Sequence, residues 1–271
     1  MLAEHRERRS IAENLPSHGS SAKGGTMPGR FQLASIDAVA WLRSLPPASA
    51  DLLITDPPYE SLEKHRAIGT TTRLKHSKAS SNDWFRIFPN ARFPDLFEAA
   101  YRVLQKNAHL YLFCDPETMF VAKPAGEAAG FKFWKPLIWD KRTIGMGYHY
   151  RARYETILFF EKGKRRLADL GVPDIIQVPR IRGGYPTEKP VPVGDVLVRQ
   201  SSAPDDLVLD PFMGSGAFGV AAVRAGRNFL GNDIGKTAVR LARARLREAG
   251  GRPETWVSTD AADTIGDGEA A

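Results

Sequence analysis

Cysteine is nearly absent from this chain. Cys114 is the one example in 271 residues, which excludes disulfides and any cysteine-built metal cluster and suits a reducing cytoplasm. It ends the apolar run 110–113, so its expected role is a buried structural thiol. Hydrophobic runs long enough to cross a membrane are also missing. The first residues lack the apolar stretch of a secretory signal, and no internal repeat is visible. No cluster of metal-ligand type is evident, so no metal site is expected.

Acids are in deficit as well. The chain has 31 Asp and Glu against 38 Lys and Arg, a net charge of +7 that favours a polyanionic partner. A 42% hydrophobic share over this length supports one large α/β domain with a sizeable core, expected over residues 31–257. Residues 1–30 are polar, with Arg6, Arg8 and Arg9 read as solvated charges. Residues 258–271 hold four acids and no cation. Both ends are expected to be disordered tails.

The chain is organised around Asp56-Pro57-Pro58-Tyr59. These residues follow the apolar run 51–55, too short for a helix and bounded by proline, which reads as a buried strand of a parallel sheet. Ligands of open α/β sheets bind just beyond the carboxyl ends of strands, where this motif falls. Its chemistry suits a planar amine. The Asp56 carboxylate can accept one N–H and the Pro57 carbonyl a second, while Pro58 and Tyr59 offer flat apolar surfaces for a ring. The competing reading is a strand ending in a Pro-Pro turn with a core tyrosine.

A second stretch decides between them. Residues 205–216 read as a strand ending at Asp210, a glycine-rich turn through Phe212, Gly214, Ser215 and Gly216, and a helix opening at Ala217. Glycines allow a tight turn and close ligand approach at a helix N-terminus. No Gly-Lys-Ser/Thr follows, so this is not a phosphate-cradling loop. The next apolar run ends in Asp233, 23 residues past Asp210. In Rossmann-type folds an acid about 20 residues past the glycine turn takes ribose hydroxyls.

With these two motifs in this order, the sequence resembles the amino-DNA methyltransferases of the β permutation class, in which the catalytic half precedes the S-adenosylmethionine half. Tyr185-Pro186-Thr187-Glu188-Lys189-Pro190 is similar to the His-Pro-Thr-X-Lys-Pro element of that class. Further matches are Ser35-Ile36-Asp37-Ala38, Arg102-Val103-Leu104-Gln105, Leu112-Phe113-Cys114-Asp115 and Tyr154-Glu155-Thr156-Ile157-Leu158. The resemblance runs from about residue 31 to about residue 249. It implies a Rossmann-like, doubly wound, mostly parallel sheet with one antiparallel edge strand. It also implies S-adenosylmethionine as cofactor, held by Asp37, Ala38, Asp56, Lys189, Asp210, Phe212, Gly214, Ser215, Gly216 and Asp233. Catalysis falls to Asp56, Pro57, Pro58 and Tyr59. The expected reaction is methylation of adenine N6 in double-stranded DNA, since cytosine-N4 relatives more often carry serine at position 56. Cytosine N4 and a DNA-binding pseudoenzyme of the same fold are the alternatives. A homodimer and a companion restriction endonuclease are compatible with the class. Three departures stand out: Ala217 replaces a common threonine, Tyr185 the usual histidine, and Asp233 the usual glutamate. None removes an essential group. No Pro-Cys nucleophile for cytosine C5 occurs.

Between the motifs the pattern alternates. Residues 31–36 read as a strand and 38–45 as a helix that Asp37 would also cap. Residues 94–105 read as a helix with Phe97, Ala100, Tyr101 and Leu104 inward. Strand 108–114 and helix 117–129 follow, then strands 131–139 and 154–161 near the sheet edge. A helix from Lys189 to about residue 200, another at 217–225 and a basic one ending at Ala249 complete the set, the last with Ala238, Leu241, Ala242 and Leu246 inward. Two loops carry the candidate DNA contacts. Residues 60–82 hold Lys64, Arg66, Arg73, Lys75 and Lys78 beside the catalytic motif, the pattern of a DNA-contacting lid. Residues 141–153 mix Lys141, Arg142, Arg151 and Arg153 with Tyr148 and glycines, suited to phosphates and bases. The recognition segment expected at 163–184 is short.

Overall fold

The computed structural model describes residues 27–60, 86–145, 149–182 and 187–256. Strand β1 (Arg30–Ala34) leads through helix α1 (Ala38–Ser44) to β2 (Ala50–Thr55). Helix α2 (Phe93–Val103), β3 (Leu104–Cys114), α3 (Pro116–Ala128), β4 (Lys132–Asp140), β5 (Tyr154–Lys162) and β6 (Ile175–Gln177) follow. The last part comprises α4 (Val191–Ser201), β7 (Leu207–Asp210), α5 (Ala217–Arg224), β8 (Asn228–Asn232), α6 (Lys236–Glu248) and β9 (Arg252–Pro253). Among the described residues, the strands form one nine-stranded sheet in the order β6-β4-β5-β3-β2-β7-β8-β1-β9.

Every neighbouring pair is parallel except those made by β5, which runs against both β3 and β4. The expected antiparallel strand is therefore present, but it is third from the edge. The sheet continues past it because β4 pairs β5 along its length and β6, from the stretch 163–184, adds in parallel at Ile138↔Ile175.

Side-chain alternation along the strands builds two cores. Leu53, Leu110, Leu112, Leu158 and Leu209 face one layer, where Val39, Leu42, Phe93, Phe97 and Val103 of α1 and α2 cover them. Leu52, Ile54, Phe113, Ile157 and Val208 face the other, against Val193, Leu197, Phe218 and Val220 of α4 and α5. Each fully buried Leu or Phe contributes roughly 1.5–3 kcal/mol of transfer free energy. Cys114 is buried as expected, and burial pushes its thiol pKa up.

Several boundaries differ from the sequence reading. Helix α2 stops at Val103, because Leu104 is already extended and opens β3. Leu104 thus belongs to a strand, and Tyr101 is half-buried rather than core. In α6 Val239 takes the inward place expected for Leu241, which is half-buried. Nor is the stretch up to residue 30 all tail. The Gly29 amide donates to the Val223 carbonyl at 3.0 Å, and Arg30 lies in β1, paired with Glu254 at 3.1 Å. Residues 1–26 and 257–271 lie outside the described residues.

The topology reverses between β2 and β7. From β2 the chain moves to β3 on one side, and from β7 to β8 on the other. A cleft opens outside the carboxyl ends of the strands at such a reversal. Pairing of Leu52 with Val208 and Leu53 with Leu209 sets the Asp56 motif beside the glycine turn.

Candidate active site

At that reversal lies a cavity of about 390 Å³. Asp37, Ala38, Asp56, Pro57, Pro58, Tyr59, Lys189, Asp210, Phe212, Gly214, Ser215 and Asp233 all line it, so both sequence motifs meet in one space. Gly216 does not line it. It makes the turn: its φ of +77° opens α5 from the left-handed region, and a Cβ there would stand 2.9 Å from that of Ala242.

Backbone amides fix the acids at one end. Asp37 caps α1, its Oδ1 accepting from the Val39 and Ala40 amides at 3.1 Å each. Arg92 closes a bidentate pair on the same carboxylate, Nη1 to Oδ2 at 2.7 Å and Nη2 to Oδ1 at 2.8 Å. That hydrogen bonding, led by Arg92, outweighs burial and holds the Asp37 pKa down to about 2. A carboxylate accepts about four hydrogen bonds, and Oδ2 has room for one more. Asp233 accepts from Gly214 N at 3.0 Å and Gly235 N at 2.8 Å, one bond per oxygen. Burial pushes its pKa up, with these two bonds opposing.

Asp210 sits deeper. It accepts from the Thr55 hydroxyl at 3.2 Å and the Phe212 amide at 3.0 Å, tying β7 to β2, and burial drives its pKa well above the ordinary value. Ser215 turns its hydroxyl to Arg245 at 2.6 Å, and Arg245 in turn pairs with Glu188 at 2.7 Å. Phe212 meets Phe88 edge-on with ring centroids 5.1 Å apart.

The other end is held by side chains. Tyr59 donates its hydroxyl to Asp56 Oδ1, and Lys189 donates its ammonium to Asp56 Oδ2. Lys189 is also 3.2 Å from Glu155 Oε2, and Lys141 is 2.7 Å from Glu155 Oε1. Burial raises the Asp56 pKa above the ordinary value although Lys189 and Tyr59 pull it down. At Glu155 burial is outweighed by Lys189 and Lys141, which keep the carboxyl ionised. Lys189 is likewise held protonated against burial by the two acids. The Pro58 carbonyl accepts from the Phe88 amide at 2.8 Å, so residues 86–92 form a wall over the motif.

Lys189 was expected at the cofactor, but its ammonium reaches Asp56 and Glu155. Lys141, expected on DNA phosphate, is turned inward to Glu155 and the face of Trp139. Arg153 forms a bidentate pair with Asp140 at 2.7 and 2.8 Å. Arg142 and Arg151 are exposed. Lys64, Arg66, Arg73, Lys75, Lys78 and Tyr148 lie outside the described residues, as does Tyr185. Sequence reasoning missed Glu155, Arg92 and Phe88 as site residues. The available signal for Glu155 was its place in the Tyr154-Glu155-Thr156-Ile157-Leu158 match, an acid near the start of a strand whose middle is apolar.

Comparison with known proteins shows the family. A family model for N6 and N4 methyltransferases, described as DNA methylase, matches residues 50–244. The chain belongs to this DNA methylase family. The DNA adenine methyltransferase YhdJ of Escherichia coli is 28% identical over 251 residues, covering 78% of this chain and 80% of that one. A DNA modification methylase of Thermus thermophilus, solved with S-adenosyl-L-methionine, superposes with a TM-score of 0.60 at 23% identity. That match covers 85% of this chain and all of the other. The cytosine-N4-specific PvuII DNA methyltransferase superposes with a TM-score of 0.61 at 14% identity, over 87% of this chain and 99% of its own. Methylases of this family use S-adenosylmethionine. Among the described residues no helix is long and apolar enough to cross a membrane, and no group of side chains could hold a metal ion.

Proposed function

We propose that this DNA methylase acts on the N6 amine of an adenine flipped out of double-stranded DNA. The observation that carries the proposal is the Asp56 carboxylate at the end of β2, opening into the same cavity as Asp37 and Asp233. The target amine lies inside the duplex stack and must leave it to reach that cavity. Its lone pair is delocalised into the ring. Asp56 and the Pro57 carbonyl accept its two hydrogens and favour tetrahedral geometry, which localises the pair. The Asp56 charge also stabilises the positive charge that develops on nitrogen. Pro58 and Tyr59 hold the ring plane, and alignment of the reactants supplies much of the remaining rate.

The donor set fits the cofactor. Asp233 keeps acceptor capacity on both oxygens for ribose hydroxyls, Asp37 Oδ2 has room for an adenine amine, and Phe212 offers a ring face. When bound, S-adenosylmethionine supplies an electrophilic methyl group. Asp210 braces the turn from below. Exposed Arg142 and Arg151 are assigned to DNA phosphates.

An aspartate at position 56, where cytosine-N4 relatives more often have serine, supports adenine. The purified protein should methylate genomic DNA from a host lacking amino methylation. Mass spectrometry of the digested product should then show N6-methyladenine. N4-methylcytosine alone would reverse the assignment, and no methylated base from a folded, cofactor-binding protein would favour a pseudoenzyme.

A further inference from the structure

Both oxygens of Asp56 are engaged by side chains, Oδ1 by Tyr59 and Oδ2 by Lys189. An amine docking on Asp56 has to compete with the Lys189 ammonium. That ammonium is almost fully buried, at 8% side-chain exposure, so withdrawal into solvent is not open to it. A second acceptor lies within reach. Glu155 Oε2 is buried, makes no hydrogen bond, and stands 3.2 Å from Lys189 Nζ in an ion pair that is not aligned as a hydrogen bond. Its other oxygen is fixed by Lys141. A buried carboxylate oxygen without a hydrogen bond is unfavourable, so a partner that can move onto it will be attracted there.

We propose that Glu155 is a positioning residue that receives Lys189 when the target amine docks on Asp56. In the free protein Lys189 plugs the amine position. On docking, the ammonium turns from Asp56 Oδ2 to Glu155 Oε2, and the network Asp56–Lys189–Glu155–Lys141 changes its pairing without losing a charge. Two things follow for the reaction. Asp56 gains an oxygen for the amine, and its negative charge faces the developing cation instead of being cancelled by an ammonium. The inference rests on the reading of Asp56 as the amine acceptor.

The test is a double-substitution cycle on methyl transfer to unmethylated genomic DNA, with cofactor affinity measured by calorimetry alongside. Glu155→Gln keeps the shape but removes the charge that attracts Lys189. It should lower kcat about tenfold or more, leave cofactor affinity within about twofold, and shift the acid limb of the pH profile to lower pH, because Lys189 stays on Asp56. In a Lys189→Met background, assayed at the pH of its own maximum, the same change should cost less than about twofold. A full tenfold loss in both backgrounds, or wild-type kcat for Glu155→Gln, overturns the handover. Should Glu155→Gln fail to fold, Glu155→Asp carries the same cycle, with a smaller loss expected in the Lys189 background alone. Failure of the underlying reading looks different: Asp56→Ala would then keep wild-type turnover.

Discussion

The two ends of the cavity are built in opposite ways. At the end proposed for the cofactor, Asp37 and Asp233 are held by main-chain amides at a helix cap and at the glycine turn, with Arg92 added on Asp37. At the end proposed for the target base, Asp56 is held by the side chains of Tyr59 and Lys189, and Lys189 is shared with Glu155. Main-chain donors at a helix cap and in turns cannot rotate away, so they preorganise acceptors for a ligand of constant shape. Side-chain donors can exchange partners, which suits a base that must arrive from a duplex and leave again. On the proposed assignment, one cleft is rigid where recognition is repeated and rearrangeable where the substrate comes and goes.

The sharpest way to break this comparison is to remove the acid at each end. Asp56→Ala should reduce methyl transfer ~100-fold or more, the usual scale for losing an electrostatic stabiliser, with cofactor affinity largely kept in calorimetry. A parallel loss of both would mean that the two ends are not separable. Asp233→Ala should do the reverse and weaken cofactor binding by roughly 1.5–3 kcal/mol, the scale of hydrogen bonds to a charged group. Unchanged affinity in a folded variant would reduce Asp233 to a brace for the turn.

Arg92 tests how far the rigid end depends on a side chain. Arg92→Ala leaves the α1 cap on Asp37 but removes the bidentate pair, and cofactor affinity should fall by about tenfold or less. Its pH consequence has a definite sign. The Asp37 pKa is lowered to about 2, so the pair's stabilising contribution is present above the unfolded aspartate value and is lost as pH falls through about 2. Removing Arg92 should move that loss to higher pH, visible in acid titrations of folding.

The smallest effect concerns protonation at the target end. Burial raises the Asp56 pKa, and the proposed reaction needs the carboxylate. Activity should therefore decline on acidification at a pH above the ordinary aspartate value. An acid limb at or below that value would show that Lys189 outweighs burial.

Much of the site was legible because it is local. Asp56-Pro57-Pro58-Tyr59 and the turn after Asp210 each combine a strand end with ligand chemistry within a few residues, and all but Gly216 of the predicted cofactor residues line the cavity. Arg92 was hidden for a physical reason. It opens a helix whose pattern speaks only of core packing, and its guanidinium matters only because α2 sits against α1. Lys141 was read as a DNA contact because a lysine among arginines and glycines in a loop between two strands suits phosphate. Closure of that loop through Lys141 N and the Arg153 carbonyl at 2.9 Å points it instead toward Glu155.

By itself the sequence determined the alternation of strands and helices, the family resemblance, and the acids at the ends of β1, β2, β7 and β8. Periodicity, turn residues and charge at element ends are short-range properties that survive in one dimension. Tertiary structure alone decided which charges meet. The antiparallel course of β5 past β3 brings Glu155 into the pocket. The approach of β2 to β7 joins two motifs more than a hundred residues apart. Pairing between buried charges depends on separations of a few ångströms, and only the strand order fixes those.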